Sequence, residues 1–155
     1  MPKIDLHSIE QTNACGYPPP FDEPVKGRKY RRLGPAASLA KMRASHVVLE
    51  PGAWSSQRHW HRELDELLVM ISGEAILVEE DGESVVRAGD VVAWPAGQEN
   101  GHHLQNRGDA PCVFLVATAG DYHKDSGEYS DIDMVFEPGG YFRRDRSRYE
   151  TDRVP

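Results

Sequence analysis

From Tyr30 onward the apolar residues fall into short β-type segments that are separated by glycine and proline. Asp81-Gly82 lies between two such segments and is the strongest hairpin signal in the chain. Amphipathic helical periodicity is almost absent, and many short strands at close spacing are typical of an antiparallel sandwich or barrel. We therefore predict an all-β domain, with a surface loop at 126–130. The predicted strands are 40–50, 66–72, 75–79, 84–87, 91–94, 102–106, 113–118, 132–136 and 141–143.

The two ends of the chain differ from this pattern. The run Tyr17–Phe21 contains three consecutive prolines, which exclude a helix interior or a central strand. We expect an N-terminal arm over residues 1–24, laid across the barrel or across a partner subunit. The barrel domain is predicted over 25–143, and a charged C-terminal tail over 144–155.

Composition narrows the class of protein. The chain has 155 residues, enough for one domain with a real core, and no apolar run approaches the ~20 residues of a membrane span. The net charge is -7, and no basic stripe is present, so neither nucleic acid nor an anionic membrane is an expected partner. The N-terminus lacks the apolar segment of a secretory signal, and two distant cysteines form no disulfide framework. We expect a cytoplasmic protein.

Histidines and one glutamate carry the candidate chemistry. His59 and His61 are two residues apart, so in a strand both imidazoles would project from one face. Glu66 opens the next apolar run and can add a carboxylate beside them. About forty residues later, His102 and His103 follow a second glycine-rich stretch. Three imidazoles and one carboxylate from facing strands would suit a divalent transition metal.

The spacing of these residues resembles two motifs of the cupin superfamily. Gly52-x6-His59-x-His61-x4-Glu66-x6-Gly73 is similar to its first motif, with one extra residue before His59. The stretch between the motifs has 15 residues, as is typical of the small bacterial single-domain members. The resemblance implies a jelly-roll barrel, also called a double-stranded β-helix.

The second motif decides between the two later histidines. Gly89-x5-Pro95-x-Gly97-x4-His102-x3-Asn106 resembles the cupin pattern, with two extra residues before the histidine. Strand parity puts His102 and Asn106 on one face and His103 on the other. We therefore expect His102 as the ligand, and His103 is the alternative if the insertion shifts the register.

Function follows from the resemblance as an expectation. It implies a metal site of His59, His61, Glu66 and His102 that holds Fe, Mn, Ni, Zn or Cu, with Gln57 as a candidate supporting or substrate-facing donor. Open coordination positions would let the ion act as a Lewis acid on an oxygen-rich metabolite, in an isomerase (sugar-phosphate isomerase-like), lyase, decarboxylase or dioxygenase. A non-catalytic barrel that binds or senses a small molecule is the alternative. A homodimer is expected, as is common in this superfamily.

Overall fold

The computed structural model describes residues 3–150, which form eleven β-strands and almost no helix. The strands are β1 Arg28–Arg32, β2 Met42–Leu49, β3 Leu64–Ser72, β4 Glu74–Glu79, β5 Gly82–Arg87, β6 Val91–Trp94, β7 His103–Gln105, β8 Cys112–Gly120, β9 Gly127–Glu128, β10 Val135–Glu137 and β11 Gly140–Phe142. One short helix, α1 Leu33–Ala36, and two 3-10 turns, Leu6–Ser8 and Glu23–Val25, complete the elements. None of these helices is long and apolar enough to cross a bilayer.

Antiparallel pairing joins the strands into three sheets. The first has the order β1-β2-β8-β3-β6, the second β5-β4-β7, and the small third sheet β11-β10-β9. Strands distant in sequence are neighbours in the first sheet, as a jelly roll requires. The predicted hairpin at Asp81-Gly82 is confirmed: β4 and β5 pair from Glu74↔Arg87 to Glu79↔Gly82. The all-β prediction is therefore confirmed.

The core lies between the first two sheets, because side chains along their strands point alternately inward and outward. In β3, Leu68 and Met70 point inward and are buried, whereas Leu67 and Ile71 point outward and are exposed. The same alternation in neighbouring strands fills one cluster. Its large members are Val47, Leu49, Leu68, Met70, Leu77, Trp94, Leu104 and Phe114.

Three local predictions need correction. The segment 126–130 is not a surface loop: it contains β9, and Tyr129 is buried against Phe136 of β10. The strand predicted at 132–136 begins only at Val135. No regular strand holds His59 and His61, because His59 makes isolated bridges to His102 on one side and to Tyr129 on the other. Sequence alternation does not show such long-range pairing.

The N-terminal arm and the last described residues both pack on the protein's own barrel. Thr12 bridges to Tyr30 of β1, and the Gln57 side chain donates a hydrogen bond to the Phe21 carbonyl at 2.8 Å. Phe21 in turn meets Tyr149 edge to face, with ring centroids 6.0 Å apart. Residues 1–2 of the predicted arm and 151–155 of the predicted tail lie outside the described residues.

Candidate metal centre

Backbone pairing brings His59 and His102 together. The His102 amide donates to the His59 carbonyl at 3.0 Å, and the reverse bond measures 3.4 Å. Glu66 comes from the adjacent β3, which pairs with β6 at Glu66↔Trp94. The indole ring of Trp94 stacks on His102, with centroids 3.7 Å apart and planes 1° apart. Sheet register therefore sets three of the predicted ligands side by side.

Hydrogen bonds at Nδ1 fix the tautomers of His59 and His102. His59 Nδ1 lies 2.8 Å from the Gln57 carbonyl oxygen, and His102 Nδ1 lies 2.8 Å from the Asn100 carbonyl oxygen. A carbonyl oxygen only accepts, so each Nδ1 carries the proton and donates. Each neutral ring then presents the lone pair of its Nε2.

His61 is held the same way by a carboxylate. Its Nδ1 lies 2.6 Å from Asp125 Oδ2, while Asp125 Oδ1 accepts from the Glu63 amide at 3.2 Å. A carboxylate behind a ligating imidazole fixes the ring and makes it a better electron donor. Asp125 was not predicted from the sequence, since it lies 64 residues beyond His61 and belongs to no motif.

The free ends of these side chains converge. The Nε2 atoms of His59 and His61 are 3.2 Å apart. Glu66 Oε2 lies 3.7 Å from His61 Nε2, and Oε1 lies 3.8 Å from His102 Nε2. Two ligands about 2.1 Å from one ion lie about 3.0–3.4 Å apart at octahedral or tetrahedral angles. The imidazole pair matches that spacing, and the glutamate contacts are a few tenths of an ångström longer. Within residues 3–150, no group of three or more His, Cys, Asp or Glu side chains already has the geometry to hold a metal ion.

Burial makes this cluster costly without a cation. His102 Nε2 is buried and has no hydrogen-bond partner among the described residues. Burial, followed by the fields of His61 and His102, lowers the pKa of His59 to about 3. Burial alone would raise the pKa of Glu66, but contact with His102 and the fields of the other two imidazoles bring it below its usual value. A neutral His59 beside an ionised Glu66 is the protonation state that a divalent ion needs, and the donor set of imidazole nitrogens and a carboxylate fits such an ion.

Residues behind His102 hold it in place. Trp94 Nε1 donates to Glu79 Oε1 at 2.8 Å, and Asn100 Nδ2 donates to the same oxygen at 2.9 Å. Glu79 thus links Trp94, which stacks on His102, to Asn100, whose carbonyl accepts from His102 Nδ1. Asn100 lies in the stretch between Gly97 and His102, where the sequence departs from the cupin motif.

The side chains of His103 and Gln57 lie outside the cluster of candidate ligands. His103 donates from Nδ1 to the Ser56 carbonyl at 2.9 Å, and its Nε2 lies 2.9 Å from Gln105 Nε2. Both of its nitrogens are therefore satisfied on the side of β7 that packs against Trp54. The Gln57 side chain is buried and binds the N-terminal arm, while its carbonyl orients His59.

A cavity of about 260 Å³ adjoins the cluster. Its lining includes His59 and Glu66, apolar side chains of β2, β3 and β8, and several hydroxyl groups. Arg28 of β1 also lines it, although no basic residue could be placed in the barrel from the sequence. The missing signal is register: β1 lies outside both motifs, and only its pairing with β2 shows which side chains face inward.

Comparisons with known proteins agree with this architecture. The cupin domain family model matches residues 45–118. The crystal structure of a sugar phosphate isomerase from a cupin superfamily, from Silicibacter pomeroyi DSS-3, matches with a TM-score of 0.90 over 99% of this chain and 100% of that one. The two sequences are 39% identical. A protein from Acidithiobacillus ferrooxidans ATCC 23270, provisionally named a sugar phosphate isomerase, is 26% identical, with a TM-score of 0.67 over 74% of this chain and 73% of that one.

A curated relative is much longer than this chain. Oxalate decarboxylase OxdC from Bacillus subtilis is 34% identical in an alignment of 112 positions that covers 66% of this chain and 28% of the relative. The fold, the domain match and the full-length similarity to the Silicibacter protein together show that the chain belongs to the cupin superfamily.

Proposed function

We propose that the protein is a metal-dependent cupin enzyme that acts on an oxygen-rich small molecule. His59, His61, Glu66 and His102 would hold one divalent ion from the group Fe, Mn, Ni, Zn and Cu. The observation that carries this proposal is the orientation of the imidazoles: each donates from Nδ1 to an oxygen, and His102 Nε2 is buried without a partner. Mixed nitrogen and oxygen ligation without thiolate suits these metals.

The chemistry of such a site is polarisation of a substrate oxygen. A bound divalent ion supplies Lewis acidity for a carbonyl or hydroxyl group. The chain supplies the rest: Asp125 and the two backbone carbonyls keep the rings aligned, and the apolar walls of the cavity limit water. Among the reaction classes open to cupins, the Silicibacter relative, which is named a sugar phosphate isomerase, favours isomerisation over lyase, decarboxylase or dioxygenase chemistry.

One observation supports the alternative of a binding or sensing barrel. Apart from His59 and Glu66, the described lining of the 260 Å³ cavity offers hydroxyl groups and Arg28, but no carboxylate or imidazole that could move a proton independently of the metal. A barrel with this lining could capture a ligand without turning it over. Product formation separates the two functions, because stabilisation by a ligand without product would indicate sensing.

The test begins with metal content. Protein purified without a metal-affinity tag is analysed by inductively coupled plasma mass spectrometry, beside the variants His59→Ala and Glu66→Ala. His7→Ala is the matched control, since His7 is exposed and lies in the N-terminal turn Leu6–Ser8. We expect close to one equivalent of a transition metal in the wild type and the control, and a large loss in both site variants. Aldose–ketose interconversion of sugar phosphates, followed by NMR, then tests turnover, and unchanged metal and turnover in both site variants would refute the proposal.

We also propose a homodimer. The outward faces of β3 and β6 expose Leu67, Ile71 and Val91, with exposed fractions of 41%, 50% and 58%. β6 is an edge strand of the first sheet, and exposed apolar edges are commonly covered by another chain. Light scattering after gel filtration should give twice the monomer mass, and Val91→Glu should reduce it.

A further inference from the structure

The pairing of β1 with β2 turns one arginine towards the interior. Arg28 pairs with Leu49, and Tyr30 pairs with Val47. Directly paired residues of an antiparallel sheet point to the same face, and both β2 partners are buried. Arg28 therefore lies on the inner face of the sheet, where it lines the cavity that also contains His59 and Glu66.

The guanidinium of Arg28 is only partly satisfied. Its Nη1 donates to the Ser55 carbonyl at 2.7 Å, but its Nε is buried without a hydrogen-bond partner among the described residues. Within residues 3–150 no carboxylate lies within 4.0 Å of it. By contrast, Arg58 contacts Asp131 at 2.6 Å, and Arg107 contacts Glu83 at 2.6 Å. Arg28 is thus a cation that the described protein does not neutralise.

Arg28 lies close to the cluster of candidate metal ligands. A second cavity, of about 300 Å³, also adjoins His59, and Arg28, Ser56 and His59 line both cavities. With a divalent ion in place, the ion and Arg28 would outweigh the charges of Glu66 and Asp125 by one positive charge. An apolar-walled site with excess positive charge favours an anionic ligand.

We propose that Arg28 binds the oxyanion group, a carboxylate or a phosphate, of a substrate whose other oxygen atoms face the cluster of His59, His61, Glu66 and His102. This rests on the proposed function and narrows its substrate class to small anionic molecules. A guanidinium presents several N–H donors in a plane that matches the oxygens of a carboxylate or phosphate. The unpartnered Nε supplies one of these donors.

Calorimetric titration of the metal-loaded protein tests the proposal with three probes. Inorganic phosphate and glycolate carry the two kinds of oxyanion, and ethylene glycol is the neutral comparison. The variants are Arg28→Met, which removes the charge, and Arg28→Lys, which keeps a charge without the planar donors. Arg32→Met is the matched control: Arg32 lies on the same strand and also contacts the Tyr30 ring, but it is exposed and absent from the cavity lining.

We expect at least one anion to bind the wild type and the Arg32 control within twofold of each other, and ethylene glycol to bind neither. Arg28→Met should weaken the anion about tenfold to hundredfold, and Arg28→Lys by an intermediate factor. The preferred anion tells whether the substrate carries phosphate or carboxylate.

The proposal is overturned if neither anion binds, if ethylene glycol binds as well as the anions, or if both folded Arg28 variants keep the wild-type affinity. Metal analysis of the same samples separates this failure from that of the proposed function. Arg28→Met should retain its metal, whereas metal retained by His59→Ala would contradict the metal site and leave the Arg28 comparison standing.

Discussion

The carboxylate behind His61 offers a sharp test of how the imidazoles are oriented. Asp125 uses both oxygens as acceptors: Oδ2 accepts a hydrogen bond from His61 Nδ1 at 2.6 Å, and Oδ1 accepts one from the Glu63 amide at 3.2 Å. Asparagine has the same shape but only one acceptor oxygen. In Asp125→Asn, one of the two contacts must therefore set two donors against each other.

The size of the effect follows from this choice. If the amide nitrogen faces His61, the ring must move its proton to Nε2 and lose the lone pair that would bind the metal. If it faces Glu63, a buried N–H is left unsatisfied at a cost of about 1–3 kcal/mol. We expect metal affinity to fall about 10–100-fold, or about 1.4–2.7 kcal/mol, as for other carboxylates behind ligating imidazoles.

The assay is competition with a chelator of known affinity, performed on wild type, Asp125→Asn and Asp131→Asn. Asp131 is the matched control because it pairs with Arg58 and its side chain is 53% exposed. Circular dichroism checks that each variant is folded. Metal affinity within twofold of wild type in folded Asp125→Asn, together with an unchanged free energy of unfolding in urea, would refute the reasoning about Asp125.

Three further predictions concern the scaffold and its protonation. Asn106 is 1% exposed, and its amide donates to the Leu49 carbonyl at 2.8 Å and to the Ala110 carbonyl at 2.9 Å. Asn106→Ala should therefore reduce the free energy of unfolding by about 2–4 kcal/mol in urea titrations, and a loss below half of that would contradict the role of these bonds. Burial raises the pKa of the Cys112 thiol to about 11, so at pH 8 iodoacetamide should label the native protein at Cys15 alone. Mass spectrometry checks this, with Cys15→Ser as the control. Labelling of both thiols at similar rates would contradict the prediction. The pKa of His59 is depressed to about 3, so at pH values below 6.5, the ordinary pKa of histidine, the unfolded state binds more protons than the folded state. Chelator-treated protein should therefore lose about 2 kcal/mol of stability between pH 7.5 and pH 5. No loss, or a gain, would contradict the burial of a neutral ring.

The motif residues could be predicted because their spacing reflects local structure. Strand parity and the spacing to Asn106 distinguished His102 from His103, and the structure has His102 facing Glu66 while His103 faces Ser56 and Gln105. Local pattern also located the β4–β5 hairpin.

The remaining features of the site depend on contacts between distant segments. Arg28 reaches the cavity through its pairing with β2, and Asp125 reaches His61 across 64 residues. Tyr129 stacks on His59 with centroids 5.4 Å apart, from a segment that looks like a loop in sequence. No residue-by-residue pattern encodes these approaches, since they arise only when the three sheets pack together.

The most direct test of the central claim is anomalous diffraction from a crystal of the metal-loaded protein at the absorption edge of the metal found by elemental analysis. The account predicts one strong peak about 2.0–2.2 Å from Nε2 of His59, His61 and His102 and from a Glu66 oxygen. A peak elsewhere, or bound metal that leaves these four side chains uncoordinated, would contradict it.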